Sequence, residues 1–222
     1  VVRKLLDEVH DIQLAPSDGL DQTWRITSPW FRFWLGTKGI EERISHPLFL
    51  DTYEPLSNQQ ESILVCWRTK PDPWNPLSSF SRSIPFSTIL SVYQRWAPKI
   101  LSRGWRILDM SDYAIKEVTQ LSHRHPWMEL VRQDIHSLQD TRSLISKCGR
   151  IVTVDTSLGH LTTLCNRDVH LLLPRFADER WIDLLRRPGI YQERVRAYQQ
   201  LEYHDWGAPL LSLEATLFDR PP

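Results

Sequence analysis

A short stretch of the sequence places an acid, two hydroxyls, a glycine and a histidine directly after the β-branched run at residues 151–154. These residues are Asp155, Thr156, Ser157, Gly159 and His160. Threonine or serine at this point is typical of a helix N-cap, and the N–H groups and dipole of a helix start favour an anion such as phosphate. His160 falls one turn into that helix, on the face of its start, and Gly159 allows a ligand to approach closely. The pattern predicts an anion site.

Two further loops could contribute to the same site. The loop after the first predicted strand carries Arg68, Lys70, Arg82 and Ser83, and the loop after the fifth spans 174–181. In an open parallel sheet, ligands bind beyond the carboxyl ends of the strands, where all these loops would meet. We therefore take Arg82 as a candidate cation for the anion, and Ser83 as a candidate beside it.

The same residues also have a purely structural interpretation. Asp155 could cap the helix, and His160 could pack in the protein core. Spacing alone leaves both interpretations open.

Several motifs that would indicate other chemistry are absent from the sequence. It contains no GxGxxG, GxxxxGK[ST], GxSxG or HExxH motif, and no two aspartates at i and i+2 that could hold a metal on a nucleotide sugar. His123 and His125 stand at an expected helix end without a nearby third ligand. Cys66, Cys148 and Cys165 form no CxxC pair, so we expect reduced, buried thiols and no metal site.

Length and composition indicate a globular protein, either one ordinary domain plus an appendage or two small domains. The chain has 222 residues, with 27 Lys and Arg balancing 27 Asp and Glu. A net charge of zero argues against binding nucleic acid or membranes through bulk electrostatics. The ten tryptophans are scattered, which favours core or interface packing over stacking on bases or sugars.

Strand-like and helix-like segments alternate from residue 62 onward. Strands are predicted at 62–67, 105–110, 128–133, 151–154 and 169–173, with helices at 86–101, 112–123, 137–147 and 156–165. Gly104 and Gly149 are predicted helix caps. Short helices at 178–185 and 208–217 flank a polar stretch that reaches Gln200. This alternation predicts an α/β fold: a Rossmann-like parallel sheet with helices on both faces.

The first 60 residues have a different character. Residues 1–12 could form a helix, and an aromatic cluster at 30–34 indicates a docking face or small core. We therefore divide the chain into an N-terminal extension or remnant (1–60), helical or irregular, and a Rossmann-like domain with a C-terminal helical tail (61–222).

Five segments, in order along the chain, resemble one enzyme family. Residues 82–85 read RSIP, like that family's RSIP segment, and Asp140-Thr141 resembles its DTA. The run IVTVDTSLGHL at 151–161 resembles the signature VDTxxxHLA, and 168–174 and 178–181 resemble xPVWxLLP and DWRW. The family is glycosyltransferase family 9, which includes ADP-heptose:lipopolysaccharide heptosyltransferases and bacterial glycosyltransferase domains fused to tetratricopeptide repeats.

The resemblance implies the C-terminal, donor-binding half of a GT-B enzyme, in which two Rossmann-like domains face each other across a cleft. It implies that Asp155, Thr156 and His160 line the donor pocket, with helix N–H groups on the diphosphate. Arg82 would stabilise the departing diphosphate. No metal or cofactor is implied, because the nucleoside-diphosphate sugar is itself a substrate.

Only one such domain is visible, although a GT-B enzyme needs two. We therefore expect either the C-terminal part of a longer glycosyltransferase, or a non-catalytic module that binds nucleotide sugars or acts as a scaffold. A second domain or subunit would complete an enzyme that transfers a hexosyl or heptosyl group to a glycan, a lipid-linked sugar or a protein. The expected location is the cytoplasm, either free or peripheral at the inner membrane.

Overall fold

The computed structural model describes residues 61–69, 82–111, 125–186 and 188–218, with Gln133, Glu179 and Arg180 described by their backbone alone. The predicted N-terminal extension and the helix predicted at 112–123 lie outside the described residues. In chain order, the elements are β1 (Ser62–Cys66), α1 (Phe86–Arg103), β2 (Arg106–Asp109), β3 (Met128–Leu130), a 3-10 turn (Arg132–Asp134), α2 (Leu138–Lys147), β4 (Arg150–Val154), α3 (Ser157–Leu164), β5 (Val169–Leu173), α4 (Glu179–Arg186), α5 (Ile190–Arg194), β6 (Val195–Gln199) and α6 (Gly207–Phe218).

All six strands form one parallel sheet in the order β3-β2-β1-β4-β5-β6. Along the chain, β2 and β3 are added on one side of β1. Strand β4 then pairs with the other side of β1, and β5 and β6 follow beyond it. Strand order therefore reverses between β1 and β4, and the crevice at such a switch point is the usual ligand site of an open α/β sheet. The predicted fold class is confirmed.

Each face of the sheet is covered by helices. In β1, Ile63 and Val65 pack with α1 and α6, whereas Leu64 and Cys66 belong to the core formed with α2, α3, α4 and α5. Because successive strand side chains point to opposite faces, a strand covered on both sides must be apolar throughout. This explains the unbroken hydrophobic run of β1, in which Ile63, Leu64 and Val65 have no exposed surface.

Helix α1 follows the predicted apolar spacing. Ile89, Tyr93, Trp96 and Ile100 are all fully buried and recur every three or four residues along one face. Gly104 ends the helix with φ of 64°, as predicted, in the left-handed conformation that glycine adopts most readily.

The structure corrects three predictions about elements. The polar stretch before Gln200 contains α5 and the sixth strand, β6. Strand β6 was missed because it lies at the end of the sheet and only Val195 of its five residues is buried. The third strand stops at Leu130, where a 3-10 turn begins, and α2 is capped at its C-terminus by Cys148 rather than Gly149.

The three cysteines are free and buried, as predicted. Burial raises the pKa of the Cys66 and Cys148 thiols to about 12. None of the helices in the described ranges is both long enough and apolar enough to cross a lipid bilayer.

Candidate functional site

A cleft of about 410 Å³ lies at the carboxyl ends of the strands, where β1 meets β4. The ends of β1 and β2, the segment after β3 and the starts of α2 and α3 supply its walls. The lining includes Cys66, Arg68, Met110, Arg132, His136, Ser137, Thr141, Thr156, Ser157 and Leu158. A groove of equal volume between α1 and α6 contains none of the predicted site residues. We therefore regard the cleft at the switch point as the candidate site.

The charges around the cleft favour an anion. Arg68, Arg132 and His136 line it, and the described part of the lining contains no Asp or Glu. Two helix starts also contribute, because Ser137 is the N-cap of α2 and Thr156 is the N-cap of α3.

The start of α2 is already occupied by a carboxylate of this chain. Asp140 Oδ2 accepts the backbone N–H groups of His136 at 2.9 Å and of Ser137 at 2.7 Å. The hydrogen bond from the His136 N–H is the main reason that the pKa of Asp140 lies below its usual value. Helix α3, in contrast, has no acidic residue in its first turn. Of the two helix starts, that of α3 therefore presents the uncompensated positive end of a dipole.

Helix α3 begins as the sequence predicts, with a threonine cap. Thr156 has extended backbone angles, and its Oγ1 accepts the N–H of Leu158 at 3.2 Å. The same hydroxyl lies 2.8 Å from Oγ1 of the buried Thr153 in β4. The interpretation of Asp155 as the helix cap is therefore wrong.

Asp155 points into the protein and not into the cleft. Its carboxylate is 5% exposed. Oδ1 accepts the indole N–H of Trp181 at 2.8 Å, and Oδ2 lies 3.6 Å from Nη1 of Arg82. The same Nη1 donates to the main-chain oxygen of Asp155 at 3.3 Å. Arg82, the candidate cation for the anion, forms an ion pair with Asp155 behind the start of α3 and does not line the cleft.

His160 lies in a stack of aromatic side chains. Its ring is nearly parallel to that of Trp181, with centroids 4.1 Å apart and an angle of 9° between planes. Its Nδ1 is 3.1 Å from the hydroxyl of Tyr191. His160 is only partly buried, so the interpretation of a histidine enclosed in the core holds in part.

The predicted site residues therefore occupy different places. Thr156 and Ser157 line the cleft, and Arg82, Asp155, Gly159 and His160 cluster around the same helix start without lining it. Ser83 accepts the backbone N–H of Thr69 at 3.1 Å, which holds the two ends of the loop after β1 together.

Sequence reasoning missed Arg132 and His136. They follow the short third strand, which lies at the end of the sheet, and the chain that returns from it to β4 carries them to the cleft, a path that the sequence does not reveal. Arg68 was noted in its loop but not chosen as a site residue. The signal that could have found Arg68 and His136 is their common position shortly after predicted parallel strands, whereas Arg132 fell inside the predicted third strand, which in the structure ends at Leu130.

A buried hydrogen-bond network supports the ends of β1 and β2 beside the cleft. Asp109 accepts the Tyr93 hydroxyl at 2.5 Å and the Ser111 N–H at 2.8 Å. The Tyr93 oxygen accepts the indole N–H of Trp67 at 2.7 Å. Burial raises the pKa of Asp109 above its ordinary value. The network ties α1 to the segments that carry Arg68 and Met110 into the cleft.

Among the residues whose placement is described, no group of three or more His, Cys, Asp and Glu side chains could hold a metal ion. His125 packs against Trp127, with ring centroids 5.0 Å apart. Metal independence remains a prediction from the sequence.

Comparison with known proteins identifies the fold. No model of a known protein family and no curated protein sequence matches this chain. Among solved structures, E. coli heptosyltransferase WaaC with ADP is 15% identical, with a TM-score of 0.54 over 81% of this chain and 48% of that one. The same enzyme with ADP-2-deoxy-2-fluoro heptose gives 14% identity and a TM-score of 0.52, with 82% and 48% coverage. This chain shares the fold of about half of that heptosyltransferase.

A second E. coli enzyme, ADP-heptose lps heptosyltransferase II, is also similar. It is 15% identical, with a TM-score of 0.51 over 96% of this chain and 56% of that one. The chain thus spans about half the length of the heptosyltransferases that it matches.

Proposed function

We propose that this chain is the donor-binding portion of a metal-independent GT-B glycosyltransferase. It would bind a nucleoside-diphosphate sugar, from which the completed enzyme transfers the sugar to a glycan, lipid or protein acceptor. The heptosyltransferase fold supports this proposal, and so does the likeness to structures that hold ADP and an ADP-heptose analogue.

The observation that carries the proposal is the charge arrangement of the cleft. The acid-free start of α3 faces the same space as Arg68 and Arg132, at the switch point of the sheet. A diphosphate carries negative charge along its length and needs several donors, which helix N–H groups and guanidinium groups provide. The cleft, at about 410 Å³, lies within the size range of sites for small organic ligands.

In this proposal the residues around α3 have distinct roles. Thr156 and Ser157 offer hydroxyl and N–H groups to the diphosphate from the cleft wall. Asp155, Arg82, Gly159 and His160 shape the site from the other side of the helix start. The cations that touch the diphosphate are Arg68 and Arg132, since Arg82 is paired with Asp155.

The acceptor side and the catalytic base belong, in this proposal, to a second domain or subunit. The reduced, buried cysteines fit a cytoplasmic protein, free or peripheral at the inner membrane. The alternative is a module that binds nucleotide sugars without transferring them.

Calorimetric titration of the full chain with ADP, UDP and GDP tests the proposal. We expect saturable binding of at least one nucleotide and about a tenfold loss of affinity in Arg68→Ala, as for a lost hydrogen bond to a charged group. Arg106→Ala is the matched control, since Arg106 pairs with Glu129 outside the cleft. If the folded chain binds none of the three nucleotides, or if both variants weaken binding equally, the proposal is wrong.

A further inference from the structure

One buried indole contacts several of the residues around the start of α3. Trp181, on α4, has no exposed surface and donates its N–H to Asp155 Oδ1. One face of its ring stacks on His160 at 4.1 Å. The ring also limits the space above Gly159, where a Cβ would lie 3.2 Å from a ring carbon. Trp181 itself does not line the cleft.

The indole N–H determines how the carboxylate of Asp155 is turned. It provides the only hydrogen bond that this carboxylate receives from the described residues, since Oδ2 has none. With Oδ1 held at 2.8 Å, Oδ2 is directed toward Arg82 at 3.6 Å. A buried carboxylate that loses such a donor must turn or recruit another one, because leaving a buried charge unpaired is costly. Through this carboxylate, Trp181 affects the ion pair with Arg82, whose Nη1 is also held by the main-chain oxygen of Asp155 at 3.3 Å.

Tyr191, on α5, contacts both rings of this stack edge-on, with its centroid 5.8 Å from that of His160 and 6.0 Å from that of Trp181. Its hydroxyl is buried, and His160 Nδ1 at 3.1 Å is its only hydrogen-bond partner within the described part of the chain. Burial raises the pKa of Tyr191, so the hydroxyl keeps its proton near neutral pH. A buried hydroxyl is satisfied best when it donates, which makes Nδ1 the acceptor. The neutral imidazole then carries its own proton on Nε2.

We propose that Trp181 and Tyr191 are positioning residues of the donor site. Trp181 acts through Asp155, whose carboxylate it holds with Arg82 behind the start of α3, so that the adjoining Thr156 and Ser157 keep their place on the cleft wall. Tyr191 holds His160, stacked on Trp181, in the tautomer with the proton on Nε2. His160 in this form is a hydrogen-bond donor and not a general base. The inference rests on the proposed function, because the effect of both residues is on nucleotide binding.

The first test is Trp181→Phe, which keeps an aromatic ring and removes the N–H. We expect ADP affinity to fall about tenfold by calorimetry, the factor reached when the loss of the Trp181–Asp155 hydrogen bond, a bond to a charged group, is transmitted in full to the nucleotide at the start of α3. Trp206→Phe is the matched control, because Trp206 is equally buried but lies in the core on the opposite face of the sheet. Thermal unfolding of both variants shows that the folded state is present during titration.

A double-mutant cycle separates positioning from general damage. If Trp181 acts through the carboxylate, Trp181→Phe has less than a twofold effect on ADP affinity when Asp155→Ala, which removes the acceptor of the indole N–H, is already present. An unchanged tenfold effect in that background overturns the proposal, as does an equal loss in Trp181→Phe and Trp206→Phe. If the unmodified chain does not bind ADP, the proposed function itself fails for this nucleotide, and the positioning role fails with it.

The histidine tautomer has a spectroscopic signature that is independent of any ligand. Nitrogen-15 shifts of His160 should show a protonated Nε2 in the unmodified chain and a mixture of tautomers in Tyr191→Phe. Tyr198→Phe is the matched control. The hydroxyl of Tyr198 lies 2.9 Å from Nδ1 of His170, and neither residue lines the cleft. A proton on Nδ1 of His160 in the unmodified chain, or no change in Tyr191→Phe, overturns this part of the proposal.

Discussion

At the scale of single residues, the region around α3 combines two kinds of environment within a few positions. Thr156 and Ser157 face the cleft, whereas the neighbouring Asp155 is buried, accepts the indole N–H of Trp181 and forms an ion pair with Arg82. An anion would therefore contact the hydroxyls and N–H groups of the helix start without contacting the carboxylate that would repel it. Where the chain passes from β4 into α3, the side chain of Asp155 therefore points away from the cleft that Thr156 and Ser157 line.

We expect Thr156→Ala to lower the free energy of unfolding by about 1–2 kcal/mol, as for other lost helix caps. The change removes the acceptor for the Leu158 N–H and the partner of the buried Thr153 hydroxyl. Thr156→Ser keeps both bonds and should lose less than about 0.5 kcal/mol. Urea unfolding followed by circular dichroism measures these differences.

The control for this prediction is Ser91→Ala, in the middle of α1. Its hydroxyl makes only an exposed bond to the Ser87 carbonyl, and alanine is the better helix former. This variant should be at least as stable as the parent chain. Equal stability of Thr156→Ala and the parent would contradict the capping role.

At the scale of elements, α1 and α6 are joined by a charged group at the edge of an apolar contact. Glu214 on α6 lies 2.8 Å from Lys99 Nζ and 3.1 Å from Arg95 Nε, both on α1. Burial alone would raise the pKa of Glu214, but hydrogen bonds and charges from Lys99 and Arg95 hold it below its ordinary value. The two helices thus depend on a carboxylate that must remain ionised.

This arrangement predicts a pH dependence of stability with a definite sign. Because the pKa of Glu214 is lower in the folded state, its contribution is present above its unfolded pKa, about 4.3. The contribution is lost as the pH falls through the folded value. Stability measured by denaturant unfolding should therefore decline less on acidification through this window in Glu214→Gln than in the parent chain.

Glu202→Gln is the control, because Glu202 forms an exposed ion pair with Arg175 that is expected to contribute little. Its acid profile should follow that of the parent chain. If Glu214→Gln follows the same profile as Glu202→Gln, the coupling of α1 to α6 through this carboxylate is not significant.

At the scale of the whole molecule, stability should be greatest at the centre of the sheet, which is also where the cleft lies. Strands β1 and β4 pair on both sides and are covered on both faces, whereas β3 and β6 end the sheet in the described part of the chain. Amide hydrogen exchange measured by mass spectrometry should be slowest in β1 and β4. Equal or slower exchange in β3 or β6 would contradict this distribution.

Several features of this protein follow from the sequence because they depend on local chemistry. The β-branched run before Asp155, the threonine cap and the apolar spacing of α1 each stabilise one element from within, so the sequence is enough to predict them. The parallel α/β class follows from their alternation. The likeness to heptosyltransferases, inferred from motifs in order along the chain, has its structural counterpart in the shared fold.

Other features exist only because distant segments meet. Strand β6 is polar and gains its place by pairing with β5, so no local pattern marks it. Arg132 and His136 reach the cleft because the chain returns to place β4 beside β1. The contact of Trp181 with Asp155 joins residues 26 positions apart. Local propensities depend on neighbours in the chain, whereas a site depends on which loops the sheet order brings to one edge, and that order is a property of the folded chain.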